Sequence, residues 1–383
     1  MKQTFKLGTI GGVPVGLNWS VVVTVILVAD ILAQSVLPGA DPSAPAGARW
    51  AAALVTAALF LGSLAAHEFA HALVARRHGV RVDSVTLWML GGVAELEGEP
   101  PTARADLRIA AVGPATSGAM AAAFAAVWAA AAALGAPPLA TTPLAWLAVT
   151  NAAIAVFNLL PGTPLDGGRI LRGLLWRRRG DRVGAAHAAD RAGLAMGRAM
   201  IGGGLAALLV GGWFDGLWLA LVGWFITSSA KAEDRWTDLR EAAGGRRVAD
   251  IMTSHPDHGW TWQTAGAFID TVAVASRQAV FPVVDTEGDP VGVVTVERLM
   301  RLPAEDAGVA LGTLTVPLQA GRVVGPDEPA SAVLAHAPFM GDLIAVVVAD
   351  HHLLGIVTTA DVQMLIRRSR LRPTTSAAAG RAA

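Results

Sequence analysis

Residues 50–77 read WAAALVTAALFLGSLAAHEFAHALVARR, and the reading of this stretch decides the fold. It is free of charge up to Ala66; His67, Glu68 and His71 then interrupt it before Arg76 and Arg77 close it. A helix needs about 20 apolar residues to cross a bilayer core, so this run predicts a membrane span. Its three ionisable residues then sit in hydrocarbon or at its edge. In a soluble helix the pattern His-Glu-x-x-His is often an exposed, salt-bridging face. Here water is scarce, and unpaired ionisable groups in lipid cost several kcal/mol, so a shared metal ion is the better account.

The rest of the chain agrees with a membrane protein. Hydrophobic residues make up 53% and charged residues only 16%, and mean hydropathy is +0.49. Thirty basic residues balance thirty acidic ones, which argues against a nucleic-acid binder that works by neutralising phosphates. Cysteine is absent, so disulfide frameworks, thiolate metal sites and cysteine nucleophiles are excluded, and any metal must be held by His, Asp or Glu. Lys2 and Lys6 precede a Gly/Pro stretch that does not read as a cleavable signal, and a first span follows at residues 19–37. The 57 residues 109–165 carry no formal charge, too many for one crossing, and Gly135, Pro137, Pro138 and Pro143 divide them into two. Runs at 199–214 and 217–230 bring the expected count to about six.

With six spans, Lys2, Lys6, Arg76, Arg77, Arg81, Arg104, Arg108, Arg169, Arg172, Arg177, Arg178, Arg179 and Arg182 fall on one side, against Arg49 on the other. The positive-inside rule makes that side cytoplasmic, together with the N-terminus and everything after the last span. Asp30 stands apart, either inside the first span or in the outer interface.

On a helix His67 and His71 share one face a turn apart, so both imidazoles can hold one ion, with Glu68 beside them. Zinc requires at least a third ligand, and a catalytic site keeps one position for water. The fourth span runs into Asn158-Leu159-Leu160-Pro161-Gly162-Thr163-Pro164-Leu165-Asp166-Gly167-Gly168, where Asp166 is the natural donor on the same side of the membrane. By itself, Asp166 reads equally as a turn former before two glycines.

Together, the His67–His71 motif, the segment ending Leu165-Asp166-Gly167-Gly168, Leu90-Gly91-Gly92-Val93 and Gly113-Pro114-Ala115 resemble the site-2 protease family of intramembrane zinc metalloproteases over most of residues 1–230. The resemblance implies one zinc ion held by His67, His71 and Asp166, with Glu68 as catalytic acid/base and Asn158 close to the reacting centre. Where that family often has Gly-Pro-x-x-Asn, this chain ends Thr116-Ser117, a hydroxyl in place of an amide. The implied substrate is a single-span regulatory membrane protein such as an anti-sigma factor. Residues 85–99 read as a hairpin dipping toward the site; Gly91, Gly92 and Val93 could pair with an extended substrate, unless the segment is a plain amphipathic surface loop.

Past a linker at 231–247 the pattern turns to β-branched strands between helices. Phe281-Pro282-Val283-Val284 with Val291-Gly292-Val293-Val294-Thr295 is answered 63 residues later by Ile344-Ala345-Val346-Val347 with Leu354-Gly355-Ile356-Val357-Thr358. Copies at 248–303 and 310–373 are each too small for a good core and should pack as a pseudo-twofold α/β pair. They resemble tandem CBS domains. Thr358 and Asp361 match that family's adenosine-holding Thr-x-x-Asp, whereas the first copy has Arg298 at the acidic position. The pair therefore either binds an adenine nucleotide or serves only to dimerise the chain. Residues 374–383 read as a disordered tail. The competing reading from another class is a transporter or channel regulated by CBS domains, for which polar residues spread over several spans would be expected.

Overall fold

The computed structural model describes residues 4–10, 12–89, 91–97, 100–319, 321–334 and 341–369. It divides into two compact units, Met1–Asp234 and Arg235–Ala383.

The helices of the first unit are α1 (Val21–Ala40), α2 (Ala46–Arg77), α3 (Ala103–Ala133), α4 (Pro138–Asn158), α5 (Asp166–Arg179), α6 (Arg182–Gly211) and the part of α7 (Asp215–Ala243) up to Asp234. Five of them, α1, α2, α3, α4 and α6, are long and apolar enough to cross a membrane. The run at 217–230 forms the first half of α7, and its Leu217, Trp218, Leu221 and Trp224 are exposed as on a lipid-facing surface. The same helix continues through residues 231–243, so most of the expected linker is helical. Exposed Val22, Ile26 and Leu27 on α1 and Leu54, Val55 and Leu59 on α2 likewise face outward.

The division of residues 109–165 falls where glycine and proline require it. Gly135 adopts φ +71°, its N–H donates to Ala132 O and the next N–H to Ala131 O, which closes α3, and Pro138 opens α4. At the α5–α6 corner Gly180 takes φ +71° and Asp181 caps α6 through Gly184 N–H at 2.9 Å. Helices α6 and α7 approach closely along small residues: Gly197 packs on Gly223 and Thr227, Gly204 on Gly216 and Ala220. Small residues let backbones meet where lipid offers no hydrophobic drive.

One element departs from expectation. The Gly/Pro stretch before the first span is strand: β1 (Phe5–Ile10) and β2 (Val13–Leu17) form a hairpin. Strand β2 runs parallel to β3 (Arg81–Trp88), which pairs antiparallel with β4 (Gly91–Glu97), giving the sheet order β1-β2-β3-β4. Val13 and Val15 point inward; Val13 clusters with Ala72 of α2 and Val85 of β3. Strand β4 is an outer edge.

The second unit has the expected repeat. The strands are β5 (Thr253–Ser254), β6 (Gly259–Trp260), β7 (Val280–Val284), β8 (Pro290–Thr295), β9 (Val316–Pro317), β10 (Val323–Val324), β11 (Leu343–Ala349) and β12 (His352–Thr358). They make two four-stranded sheets, β6-β7-β8-β9 and β10-β11-β12-β5. Each copy lends its leading strand to the other's sheet, and Val280, Val293, Leu343, Val346 and Ile356 form a common core between them. Neither copy completes its sheet alone. The C-terminal tail lies outside the described residues.

Candidate metal centre

His67 and His71 project from the same face of α2, both buried, with their Nε2 atoms 3.3 Å apart. Asp166 is the first residue of α5, where a carboxylate is favoured by the partial positive charge of a helix N-terminus. Its Oδ2 lies 3.3 Å from each Nε2. The outer ring nitrogens are engaged elsewhere: His71 Nδ1 meets the Ile109 carbonyl at 2.6 Å and His67 Nδ1 meets Ser117 Oγ at 2.9 Å. A carbonyl only accepts, so His71 Nδ1 carries the proton and its Nε2 presents a lone pair.

These atoms fit a zinc ion. Two imidazole nitrogens and a carboxylate oxygen face one another, the His71 tautomer leaves its Nε2 without a proton, and Asp166 Oδ2 is buried without a hydrogen-bond partner. A bound cation satisfies such a set. Tetrahedral zinc with bonds of about 2.1 Å holds its ligands about 3.4 Å apart, close to the spacing here. Hydrogen bonds to the far side of metal-binding imidazoles orient such ligands, which is what Ile109 O and Ser117 Oγ do.

Glycines make the room. A Cβ on Gly113 would strike both imidazoles, and one on Gly92 would strike the Glu68 side chain. Strand β4 thus lies directly over the residue beside His67. Side chains on Gly167 or Gly168 would collide with the backbone of Leu159, Leu160, Gly162 or Thr163, which explains the paired glycines after Asp166. Arg172 of α5 grips buried Asp106 of α3 in a bidentate pair at 2.7 and 2.9 Å, holding the helix that carries Asp166.

The other expected site residues lie as follows. Asn158 ends α4 just before the loop leading to Asp166, and its Nδ2 donates to Ile154 O at 3.1 Å. Gly91, Gly92 and Val93 open β4 opposite Trp88, Leu87 and Thr86, while Leu90 lies outside the described residues. Asp30 accepts from Gln34 at 2.7 Å. In the second unit Asp361 Oδ2 accepts from Thr358 N–H at 2.8 Å and Thr358 Oγ1 at 2.7 Å, and its Oδ1 from Thr253 Oγ1 at 2.7 Å. Arg298 is exposed, its N–H given to Thr295 Oγ1. Sequence reasoning missed the carbonyl of Ile109, which no residue type marks. It met Ser117 only as a departure from a family pattern, although a hydroxyl one helical turn beyond Gly113 was the available signal.

A buried two-histidine, one-carboxylate centre with a glutamate beside it, set among membrane-crossing helices, defines an intramembrane zinc metalloprotease. The chain belongs to peptidase family M50, the site-2 protease type: the family model matches residues 55–135 and 129–201, and a CBS domain model matches 270–305. Rip3 of Mycobacterium tuberculosis, assigned as a zinc metalloprotease, is 40% identical over 373 residues, covering 97% of this chain and 95% of Rip3. A Synechocystis protein with the same assignment is 28% identical over 307 residues, 80% of each chain. The solved site-2 protease of Methanocaldococcus jannaschii is 25% identical, with 60% of this chain and 95% of that one covered at a TM-score of 0.40. The protein is thus a multi-pass membrane zinc metalloprotease with a CBS region, and the transporter or channel reading is set aside.

Proposed function

We propose that this protein cleaves a peptide bond in or beside the transmembrane segment of a single-span regulatory protein, an anti-sigma factor being the kind of substrate expected. In this reading His67, His71 and Asp166 hold one zinc ion and Glu68 is the general base. The observation that carries it is the convergence of His67 Nε2 and His71 Nε2 on the partnerless Asp166 Oδ2, with Glu68 next to them beneath β4. Zinc bound there would supply a Lewis acid for the scissile carbonyl and lower the pKa of a water in its open position.

The chain's own groups do the rest. Glu68, packed against Gly92, takes the proton of the attacking water and returns it to the leaving amine. A transmembrane substrate hides its carbonyls in its helix ladder and must be unwound first. The unpaired edge of β4, beginning at Gly91, Gly92 and Val93, offers backbone N–H and C=O groups to a substrate strand. It would run past Glu68, where absence of a side chain on Gly92 leaves the approach open. In this orientation the N-terminus and the CBS pair face the cytoplasm, as the Arg-rich loops favour. The experiment is cleavage of a single-span substrate by the full chain in proteoliposomes: cleavage within its membrane segment, stopped by a zinc chelator and restored by zinc, is expected. Cleavage confined to soluble loops, or indifferent to the chelator, would contradict it.

Asn158 is proposed to turn from Ile154 O and donate to the oxyanion that develops during attack. Asn158→Ala is then expected to lower kcat roughly 10²-fold with zinc content unchanged. A change confined to zinc affinity would make it a structural neighbour of the metal loop instead.

For the CBS pair we propose one weakly bound adenine nucleotide per chain, its ribose hydroxyls received by Asp361 beside Thr358. The carboxylate already braces Thr358 and Thr253, so dimerisation or simple support of the strand junction is the other role. Calorimetry on the full-length protein is expected to show heat with ATP, ADP or AMP at millimolar concentration, lost in Asp361→Ala. No heat from the wild type would leave the pair to dimerisation.

A further inference from the structure

A second group of metal-ligand side chains lies away from the catalytic residues. His187 and Asp190 are three apart on α6 and so share a face, and Asp234 comes from α7; one potential ligand atom from each lies within 4.8 Å of the others. His187 Nδ1 stands 2.8 Å from Asp234 Oδ1. Asp190 is only 1% exposed. Its Oδ1 accepts from Thr163 Oγ1 at 2.7 Å, while its Oδ2 is shut off from water and has no hydrogen-bond partner. Among the described residues four buried side-chain polar atoms lack a partner, and the two that belong to His/Asp clusters are Asp166 Oδ2 and Asp190 Oδ2. The mark that points to a cation at the first centre therefore recurs at the second.

We propose that His187, Asp190 and Asp234 bind a second divalent transition-metal ion, separate from the catalytic one. One imidazole with two carboxylates balances a dication and suits zinc or manganese better than magnesium or calcium, which take oxygen ligands. Zinc would bring the more distant donors, up to 4.8 Å apart, closer and part His187 Nδ1 from Asp234 Oδ1, now at 2.8 Å, toward the common spacing of about 3.4 Å that bonds of about 2.1 Å impose. The side chains of His187 and Asp234 are partly open, 23% and 40% exposed, which gives an ion an entry path and water a place to complete its coordination.

The position suggests what the ion does. Thr163 belongs to the loop that delivers Asp166, and besides its bond to Asp190 its N–H reaches Ala189 O at 3.5 Å, while Gly162 packs on Gly193. An ion on Asp190 fixes the carboxylate that holds Thr163, and so pins the loop to α6.

The test counts zinc in full-length, detergent-purified protein after loading with Zn²⁺ and removal of excess. The His67→Ala/His71→Ala variant, with the first centre dismantled, is expected to retain one equivalent per chain, lost when Asp234→Asn or His187→Gln is added. Elution and circular dichroism check the fold. In parallel, the wild type should hold two equivalents and Asp234→Asn one. Zinc absent from the double variant, or unchanged on adding Asp234→Asn and His187→Gln, would overturn the site. The outcome is independent of catalysis: one equivalent in the wild type that survives His67→Ala/His71→Ala but not Asp234→Asn would uphold this site while refuting the catalytic one.

Discussion

Glu68→Gln is expected to abolish peptide cleavage while the catalytic zinc stays bound. The substitution keeps the shape of the side chain and its place beside His67, and it touches none of the three converging atoms, Nε2 of His67, Nε2 of His71 and Oδ2 of Asp166. What it removes is the proposed proton acceptor. General acid–base catalysis contributes roughly 10² to 10⁴ in rate, and cleavage of a model single-span substrate should fall by at least that factor. Glutamine has nearly the same shape as glutamate, so its packing against Gly92 of β4 should be kept. Near-wild-type turnover in Glu68→Gln would refute the proposed role.

Asp166→Ala is expected to behave differently, because it takes away a proposed ligand and not the proposed base. Two imidazoles alone fall short of the three protein ligands that catalytic zinc sites use, so zinc and activity should disappear together. Ser117→Ala provides the graded comparison: it leaves every ligand but frees the His67 ring, and changes of this kind cost roughly 10- to 100-fold in metal affinity. Zinc titration of the three proteins in detergent should rank wild type, Ser117→Ala and Asp166→Ala in that order. Equal affinity for Asp166→Ala and wild type would remove Asp166 from the ligand set.

The helices and the clustering of His67, His71 and Asp166 were legible for the same reason. A charge in a long apolar run is costly, so His67, Glu68, His71 and Asp166 stand out against Ala and Leu as they would not on a soluble surface. The repeat of the second unit was legible because β7–β8 and β11–β12 keep an ungapped 63-residue register. Other features leave no such trace. Strands β1 and β2 are short, carry glycine and proline, and gain their order from Ala72 and Val85, distant in sequence. Thr163 looked like one more turn residue until its bond to Asp190 tied it to α6. Exchange of β5 and β9 between the two copies follows from tertiary packing, and two-residue strands carry no periodicity to betray it.

Anomalous diffraction at the zinc absorption edge, from crystals of an active preparation, tests the central claim most directly. The account expects a peak among His67 Nε2, His71 Nε2 and Asp166 Oδ2, within about 2.2 Å of each, absent from Asp166→Ala crystals. An active enzyme with no anomalous density between those three atoms would contradict it.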